Sequence, residues 1–538
     1  MFDYERDRYG SAGAASLHDL RQAGLLSGKG ISFGFDENKR HELFVPNDGS
    51  VALFGGAGCG KSASAFANIL IGGHLPNNFI CFDPRGELAA ISILALSLQG
   101  YELHFVNPTG MLGLPQGRCN PLDHLTINNV SLIADAQKAA QDFCSTPLGV
   151  KSSWTYDDAR RWLTALMLFD AEYAGCASLT GVFYLVQSIQ GDTDLWCDLL
   201  ERMMESRFPT VVSFAGEIMA LQKEGRESFT APLGVLQSAF AFMHDPRLQW
   251  TFGGSDFSLQ WLTDANRKIG VFVVWPIEFI QTQAPAIRQV MGSAIQNKLR
   301  CPGGTPVSVL WDEAGQCGNV PSLRELFTYG RGAGLINNVA AWQETSQIRA
   351  AFGPQADEII GSAQFRVFKG VRTESSANMV SRMSGTMSLE YDALKEQSDA
   401  RRLKQHAAQR ILSGGNFFEA AADLRHYTEA ETHRSKQPRE VLKPDEVLNL
   451  PPSAMVAFAS GLVEGPIMGH WINHYERFDF AGLYLNNPYH DAEHVSIKTR
   501  LGSRRARVIE ERVPSVLAHL PQYQGGFWRY IEGCRPNV

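Results

Sequence analysis

Val51-Ala-Leu-Phe-Gly-Gly-Ala-Gly-Cys-Gly-Lys-Ser62 decides the fold. A short apolar run of strand character breaks into the pattern G-x-x-x-x-G-K-[ST] between Gly55 and Ser62. Ala63 to Leu70 then continues as a helix-compatible run. Strand, glycine loop and helix in that order are what a phosphate cradle requires. Glycines let successive backbone N–H groups turn inward toward phosphate oxygens, and the helix presents its positive end to the same anion. The loop residues are Gly55, Gly56, Ala57, Gly58, Cys59, Gly60, Lys61 and Ser62. Lys61 supplies a point charge for β/γ-phosphates, and Ser62 a hydroxyl for Mg²⁺.

Outward from the loop, the chain alternates. Phe79-Ile-Cys-Phe82 is a strand ending in Asp83-Pro-Arg-Gly-Glu87; Leu88 to Leu98 reads as helix, and Glu102 to Val106 as strand. Such alternation predicts an α/β fold with a mainly parallel sheet and ligands at the carboxyl ends of its strands. From Asn128 to about Gly253 the texture becomes helical, with apolar residues at helical spacing around Trp162, Leu163, Leu166, Met167 and Phe169. Trp154 and Trp162 are expected in the core of this segment. The strand pattern resumes at Ile269 to Trp275. A helix from Ala284 to Leu299 and strands at Val307–Asp312, Leu335–Ala340 and Phe365–Lys369 follow.

The expected organisation is therefore a lead-in over 1–45 with one short helix near Leu17 to Leu26. A nucleotide-binding domain takes 46–127 and 254–480, and an all-α domain occupies 128–253. Residues 386–440, with Arg401, Arg402, Lys404 and Arg410, read as a charged connector, either a long exposed helix or a mobile link. Ala454 to Phe478 reads as strand-rich. The tail, 481–538, mixes Lys498, Arg500, Arg504, Arg505 and Arg507 with Glu510 and Glu511, which predicts a solvated helix.

The 538 residues exceed what one core organises. A hydrophobic share of 44% with 20% charged residues is ordinary for a globular protein. The net charge of −7 and pI near 6.1 carry no global signature of nucleic-acid binding. Nine cysteines, an odd number with no C-x-x-C pair, fit reduced cytoplasmic usage better than a disulfide framework. No run of 18 apolar residues and no signal-peptide core occur, so the expected location is cytoplasmic. Work at a membrane then needs a partner that brings the protein there.

Val307-Ser-Val-Leu-Trp-Asp312-Glu313 delivers a carboxylate pair to a strand end. Asp312 suits the Mg²⁺ shell beside Ser62, and Glu313 suits orienting and deprotonating an attacking water. Arg331, in Tyr329-Gly-Arg-Gly-Ala-Gly334, is either an arginine finger for a neighbour's nucleotide or part of a surface turn. Gln343, after the Leu335–Ala340 strand, is a γ-phosphate sensor or an ordinary strand-end glutamine. Asp83 and Glu87 read as a turn that shapes the site rather than as catalytic groups. Cys59 reads as a small residue tolerated in the loop, with oxidation sensitivity as the alternative.

In order and wording these pieces resemble the type IV secretion coupling proteins, the TraG/TraD-like conjugation ATPases. The resemblance begins at Tyr9-Gly-Ser-Ala12 and LHDLRQAGLL. It runs through the glycine loop, CFDPRGEL, Cys119-Asn-Pro-Leu-Asp123, WDEAGQCGNVPSLRELFTYGRGAGL and AAWQETSQIRAAFG to Leu442-Lys-Pro-Asp-Glu446 with LNLPPSAMV. It implies a RecA-like P-loop domain with an inserted all-α domain, assembled as a homo-hexamer. It also implies ATP and Mg²⁺ as ligands. The implied partners are a relaxase with single-stranded DNA and the components of a type IV secretion channel. Lys61 and Ser62 match the family's Walker A positions, Asp312 and Glu313 its Walker B positions. Arg331 matches its inter-subunit finger, and Gln343 its nucleotide-sensing glutamine.

Two departures from the family stand out. Arg85 stands where lysine is common and Cys59 lies inside the loop, neither removing a needed charge, and the N-terminal membrane helices usual in the family are not seen. The expectation is that either the chain has been trimmed of them or, as the natural-looking lead-in favours, it is a variant recruited to the cytoplasmic face of the inner membrane by an anchoring partner. Three functions stay open: a ring motor that hydrolyses ATP to deliver substrate, an ATP-switched docking adaptor, and a double-stranded DNA translocase. The helical segment after Asn120-Pro-Leu-Asp123 speaks against the third.

Overall fold

The computed structural model describes residues 9–538 apart from 47, 192, 225–226, 393, 414–416, 432–433 and 492, so the MFDYERDR start lies outside the described residues. Two strands precede the glycine loop, β1 (Ile31–Asp36) and β2 (Glu42–Val45). The strand of the loop itself is β3 (Val51–Gly55). Then come β4 (Asn78–Asp83), β5 (Glu102–Val106), β6 (Ile269–Val274), β7 (Val307–Trp311), β8 (Val339–Trp342) and β9 (Phe365–Lys369). A strand pair, β10 (Thr386–Asp392) and β11 (Arg434–Glu440), is followed by β12 (Ala454–Ala459) and β13 (Ile467–His470). The chain closes with β14 (His494–Thr499), β15 (Gly502–Arg512) and β16 (Phe527–Ile531).

Eleven strands form one sheet in the order β2-β1-β13-β12-β9-β3-β8-β7-β4-β6-β5. From β5 through β9 the pairs are parallel; β12, β13, β1 and β2 extend the sheet in antiparallel fashion. Central strands are buried on both faces and read as continuous apolar runs, Val51–Phe54, Phe79–Phe82 and Val307–Trp311 among them. One face packs Phe66, Leu70, Leu88 and Leu94 from the helices after β3 and β4. The other packs Ile287, Val290 and Met291 together with the helical segment.

That segment lies between β5 and β6. Its helices are Leu132–Phe143, Ser153–Ala174, Leu179–Ser188, Thr193–Met204, Pro209–Glu224, Glu227–Phe240 and Pro246–Phe252. Trp162 is fully buried in it. Trp154 is 43% exposed in the first turn of its helix, a correction to its expected place in the core.

Three other expectations are corrected. The lead-in is part of the sheet: Ile31 and Phe33, separated by Ser32, and the run Leu43-Phe44-Val45 bury their side chains, whereas its helix is short, Leu17–Gln22. The described residues of 386–440 are neither a single helix nor a loose link. They form a seven-pair antiparallel stem, β10 with β11, topped by the helices Leu394–Leu412 and Phe417–Glu431. Arg401, Arg402, Lys404 and Arg410 lie on the first of these helices. The tail is a three-stranded antiparallel sheet, not a helix. In His494-Val-Ser-Ile-Lys-Thr499 the alternation buries Val495 and Ile497 and turns Ser496 and Lys498 to solvent, a period-2 signal that the surrounding charges obscure.

Candidate nucleotide site

Parallel β3, β4, β7, β8 and β9 all end on the same side of the sheet, so their last residues meet there. Gly58 and Gly60 take left-handed conformations, φ 73° and 83°, which a residue with a Cβ adopts only under strain. A Cβ at Gly56 would stand 2.5 Å from the Gly370 carbonyl oxygen. The loop therefore needs glycine both for its turns and for its close approach to the segment after β9. Ser62–Phe66 opens the following helix with a widened π turn before Ala67–Ile71 continues as α-helix.

The expected residues of one chain fall into two groups. Lys61, 6% exposed, donates from Nζ to the Gly55 carbonyl at 2.8 Å and pairs with Glu313 Oε1 at 3.3 Å. Gln343 Nε2 donates to Glu313 Oε2 at 3.0 Å. Gln347 Oε1 in turn accepts from the Gln343 backbone N–H at 2.8 Å. Ser62 Oγ donates to Asp312 Oδ2 at 2.7 Å. Loop, acidic pair and glutamine thus form one connected polar cluster. Arg331 does not belong to it. Its Nε donates to Asp48 Oδ2 at 2.7 Å, beside the amino-terminal end of β3, and its side chain is 64% exposed. Five strand residues, roughly 17 Å at about 3.3 Å per residue, separate that end from the loop.

Burial pushes the Asp312 carboxyl up to about 6, with the neighbouring Glu313 charge adding to the effect. Asp83, at the adjacent strand end, rises to about 7, chiefly through burial. Its oxygens accept from the Ala89 and Arg85 backbone N–H groups, so it does shape the turn Asp83–Glu87. Asp312 Oδ1 is buried with no hydrogen-bond partner. A partnerless carboxylate oxygen next to a serine hydroxyl is a donor set that Mg²⁺ takes up, so the residues fit the metal. Burial also pushes the Cys59 thiol up, against the pull of Lys61 and Lys369, which disfavours a reactive thiolate.

Sequence reasoning missed two cations beside the loop. Lys369, the last residue of β9, is 4% exposed, donates to Ser64 Oγ at 3.2 Å and lies 4.8 Å from the centre of the Trp471 ring. Arg372 lies against the loop, 3.6 Å from where a Gly56 Cβ would stand. Their signal was the charge that ends the apolar run Phe365-Arg-Val-Phe-Lys369, on a strand that only the three-dimensional order places beside the loop.

A family model described as type IV secretory system conjugative DNA transfer matches residues 14–413. No curated protein sequence matches the chain. Among solved structures, the bacterial conjugative coupling protein TrwB lacking its first 70 residues, in a trigonal form with sulphate, superposes with TM-score 0.58. It is 17% identical over 86% of this chain and 93% of that one. TrwB in complex with ADP and Mg²⁺ gives TM-score 0.55 and 18% identity over 79% and 85% of the two chains. TrwB with the ATP analogue ADPNP gives the same values. These likenesses establish a common fold: a large, mostly parallel sheet of RecA type with a helical domain. Among the described residues, no helix is long and apolar enough to cross a membrane.

Proposed function

The chain belongs to the type IV secretory system conjugative DNA transfer family, and on that footing we propose that it is an ATP-hydrolysing coupling protein. It recruits a relaxase–DNA complex or a protein substrate and delivers it to a type IV secretion channel. The observation that carries the hydrolytic reading is the cluster in which Glu313 touches both Lys61 and Gln343 while Asp312 touches Ser62.

With nucleotide in the loop, backbone N–H groups of Gly58 to Ser62 bind its phosphates, and Lys61 leaves Glu313 for the β/γ-phosphate oxygens. Glu313, freed of its cation, accepts the proton of a water that attacks the γ-phosphorus. The bond from that phosphorus to the bridging oxygen breaks, yielding ADP and phosphate. Gln343 holds the water and Glu313 in register. Ser62 and Asp312 are the residues that would hold Mg²⁺, which when bound neutralises charge on the phosphate oxygens. Arg331 lies too far from its own loop to act there, so its partner is the nucleotide of an adjacent subunit in a homo-hexameric ring. The helical segment offers the surface for substrate. Recruitment to the cytoplasmic face of the inner membrane falls to an anchoring partner.

The test is the ATPase rate against protein concentration, with and without single-stranded DNA. A steep rise with concentration and stimulation by DNA are expected. A flat rate indifferent to DNA would replace the motor by an ATP-switched adaptor, and no hydrolysis at any concentration would overturn the reading.

A further inference from the structure

Glu313 and Arg331 are the two ends of one block of chain. After Glu313, at φ 58° and ψ 45°, a 3₁₀ turn runs from Ala314 to Cys317, Gly318 follows at φ 69°, and the helix Pro321–Thr328 leads to Arg331. A non-glycine residue in the left-handed region persists only where its surroundings fix it. Here Lys61 and Gln343 hold the side chain, and further contacts come from outside the nucleotide cluster.

Arg288, on the helix Ala284–Arg300 that feeds β7, gathers three carbonyls. Its Nε donates to Asp142 O at 2.9 Å, one terminal nitrogen to Phe143 O at 3.0 Å and the other to Cys317 O at 3.1 Å. Asp142 and Phe143 end the first helix of the inserted segment, Leu132–Phe143. Cys317 ends the turn that begins at Glu313. The same helix grips the block twice more. The Asp142 carboxylate, 1% exposed, accepts from the Ser322 backbone N–H at 3.1 Å and from its hydroxyl. Lys138 pairs with Glu325 at 2.9 Å. Gly292 makes room for this, since a Cβ there would stand 2.6 Å from Asp142 Oδ2.

We propose that Arg288 is a positioning residue: it ties the end of Leu132–Phe143 to the turn after Glu313, so that the helical segment and the Glu313–Arg331 block move as one unit. A guanidinium suits this because its planar fork meets several carbonyls at fixed angles, which a lysine ammonium does not. Because Leu132–Phe143 holds the block directly at Ser322 and Glu325, and at Cys317 through Arg288, a displacement of that helix reaches both the water-activating acid and the residue offered to the next subunit. The inference rests on the hydrolytic reading given above.

The experiment compares wild-type protein with Arg288→Met and Arg288→Lys. In Arg288→Met, kcat is expected to fall about tenfold, with Arg288→Lys in between, while the affinity for a fluorescent ADP analogue stays within about twofold. Hydrogen exchange supplies the readout that a merely structural role would not move. MgADP is expected to slow exchange over 55–64 in all three proteins, and over 139–144 in wild type but not in Arg288→Met. Equal loss of kcat and ADP affinity would overturn the proposal. So would a response at 139–144 that is absent in wild type or unchanged in Arg288→Met. If Arg288→Met does not fold, Arg288→Lys decides by the same criteria, a weakened response at 139–144 being expected. If wild type hydrolyses nothing, the hydrolytic reading falls and exchange alone judges the tie.

Discussion

Glu313 combines a left-handed backbone, which costs on the order of 1–3 kcal/mol for a residue with a Cβ, with a carboxylate shared between Lys61 and Gln343. Its role predicts that Glu313→Gln abolishes hydrolysis but retains ATP binding, whereas Lys61→Ala loses hydrolysis and weakens binding. Phosphate release and fluorescent-nucleotide titration check both, and wild-type turnover in Glu313→Gln would refute the assignment. The buried acids give a pH signature. Asp83 and Asp312 rise from 3.8 to about 7 and about 6, so between those values the folded protein binds more protons than the unfolded chain. Their contribution to stability is therefore greatest at low pH and declines as pH rises through roughly 4 to 7. Denaturation of wild type and Asp83→Asn across that range should show the wild type losing ground as pH increases. A constant difference would mean that Asp83 is not raised.

At the scale of elements, the phosphate loop and the acidic strand β7 were legible because each couples an apolar run to a chemically committed end. Val51 to Ser62 and Val307 to Glu313 leave few alternatives. Arg331 was legible as a residue but not as a position, since only the sheet order puts it at the far end of β3 from its own loop. The tail was misread because eleven-residue β15 carries Arg504, Arg505, Arg507, Glu510, Glu511 and Arg512, and charge hides the alternation that pairs it with β14 and β16. Lys369 and Arg372 were missed because no local pattern tells which strand lies beside β3. The stem of β10 and β11 makes a prediction at this scale. Its register closes at Asp392 opposite Arg434, so replacing residues 393–433 by a two-residue Asn-Gly turn should leave basal ATPase activity and Tm nearly unchanged. Circular dichroism melting and phosphate release measure the outcome; loss of folding would show that the two helices hold more than each other.

At the scale of the molecule, the separation of Arg331 from its own loop makes one chain insufficient for the proposed chemistry. Arg331→Ala should lower turnover without weakening nucleotide affinity, and mixing it with Glu313→Gln subunits should restore part of the activity. No recovery at any mixing ratio would argue against a shared site. The C-terminal sheet meets the large one at its β5 edge, where the Gln522 amide stands in for a peptide unit: Oε1 accepts from the Leu103 N–H and Nε2 donates to the Tyr101 carbonyl, both at 2.9 Å. Gln522→Leu leaves both backbone groups buried without a partner, at a cost of about 1–3 kcal/mol, readable as a lower denaturation midpoint.

The other edge of the sheet waits longest for its partner. β1 pairs on one side with β2, made moments later, and on the other with β13, where Phe35 faces His470 and Asp36 faces Gly469. At roughly 5–20 residues per second of synthesis, the ribosome needs roughly 20–90 s to travel from one partner to the other. Throughout that interval the first hairpin carries an unpaired edge, with Ile31, Phe33 and Leu43 waiting for Met455 and Trp471 of the same core. A chain stalled near residue 450 should therefore be held by chaperones more strongly than one stalled near residue 510, with β13 clear of the exit tunnel. The yield of this protein in a cell should then depend on the length of that wait as well as on the strength of the finished sheet.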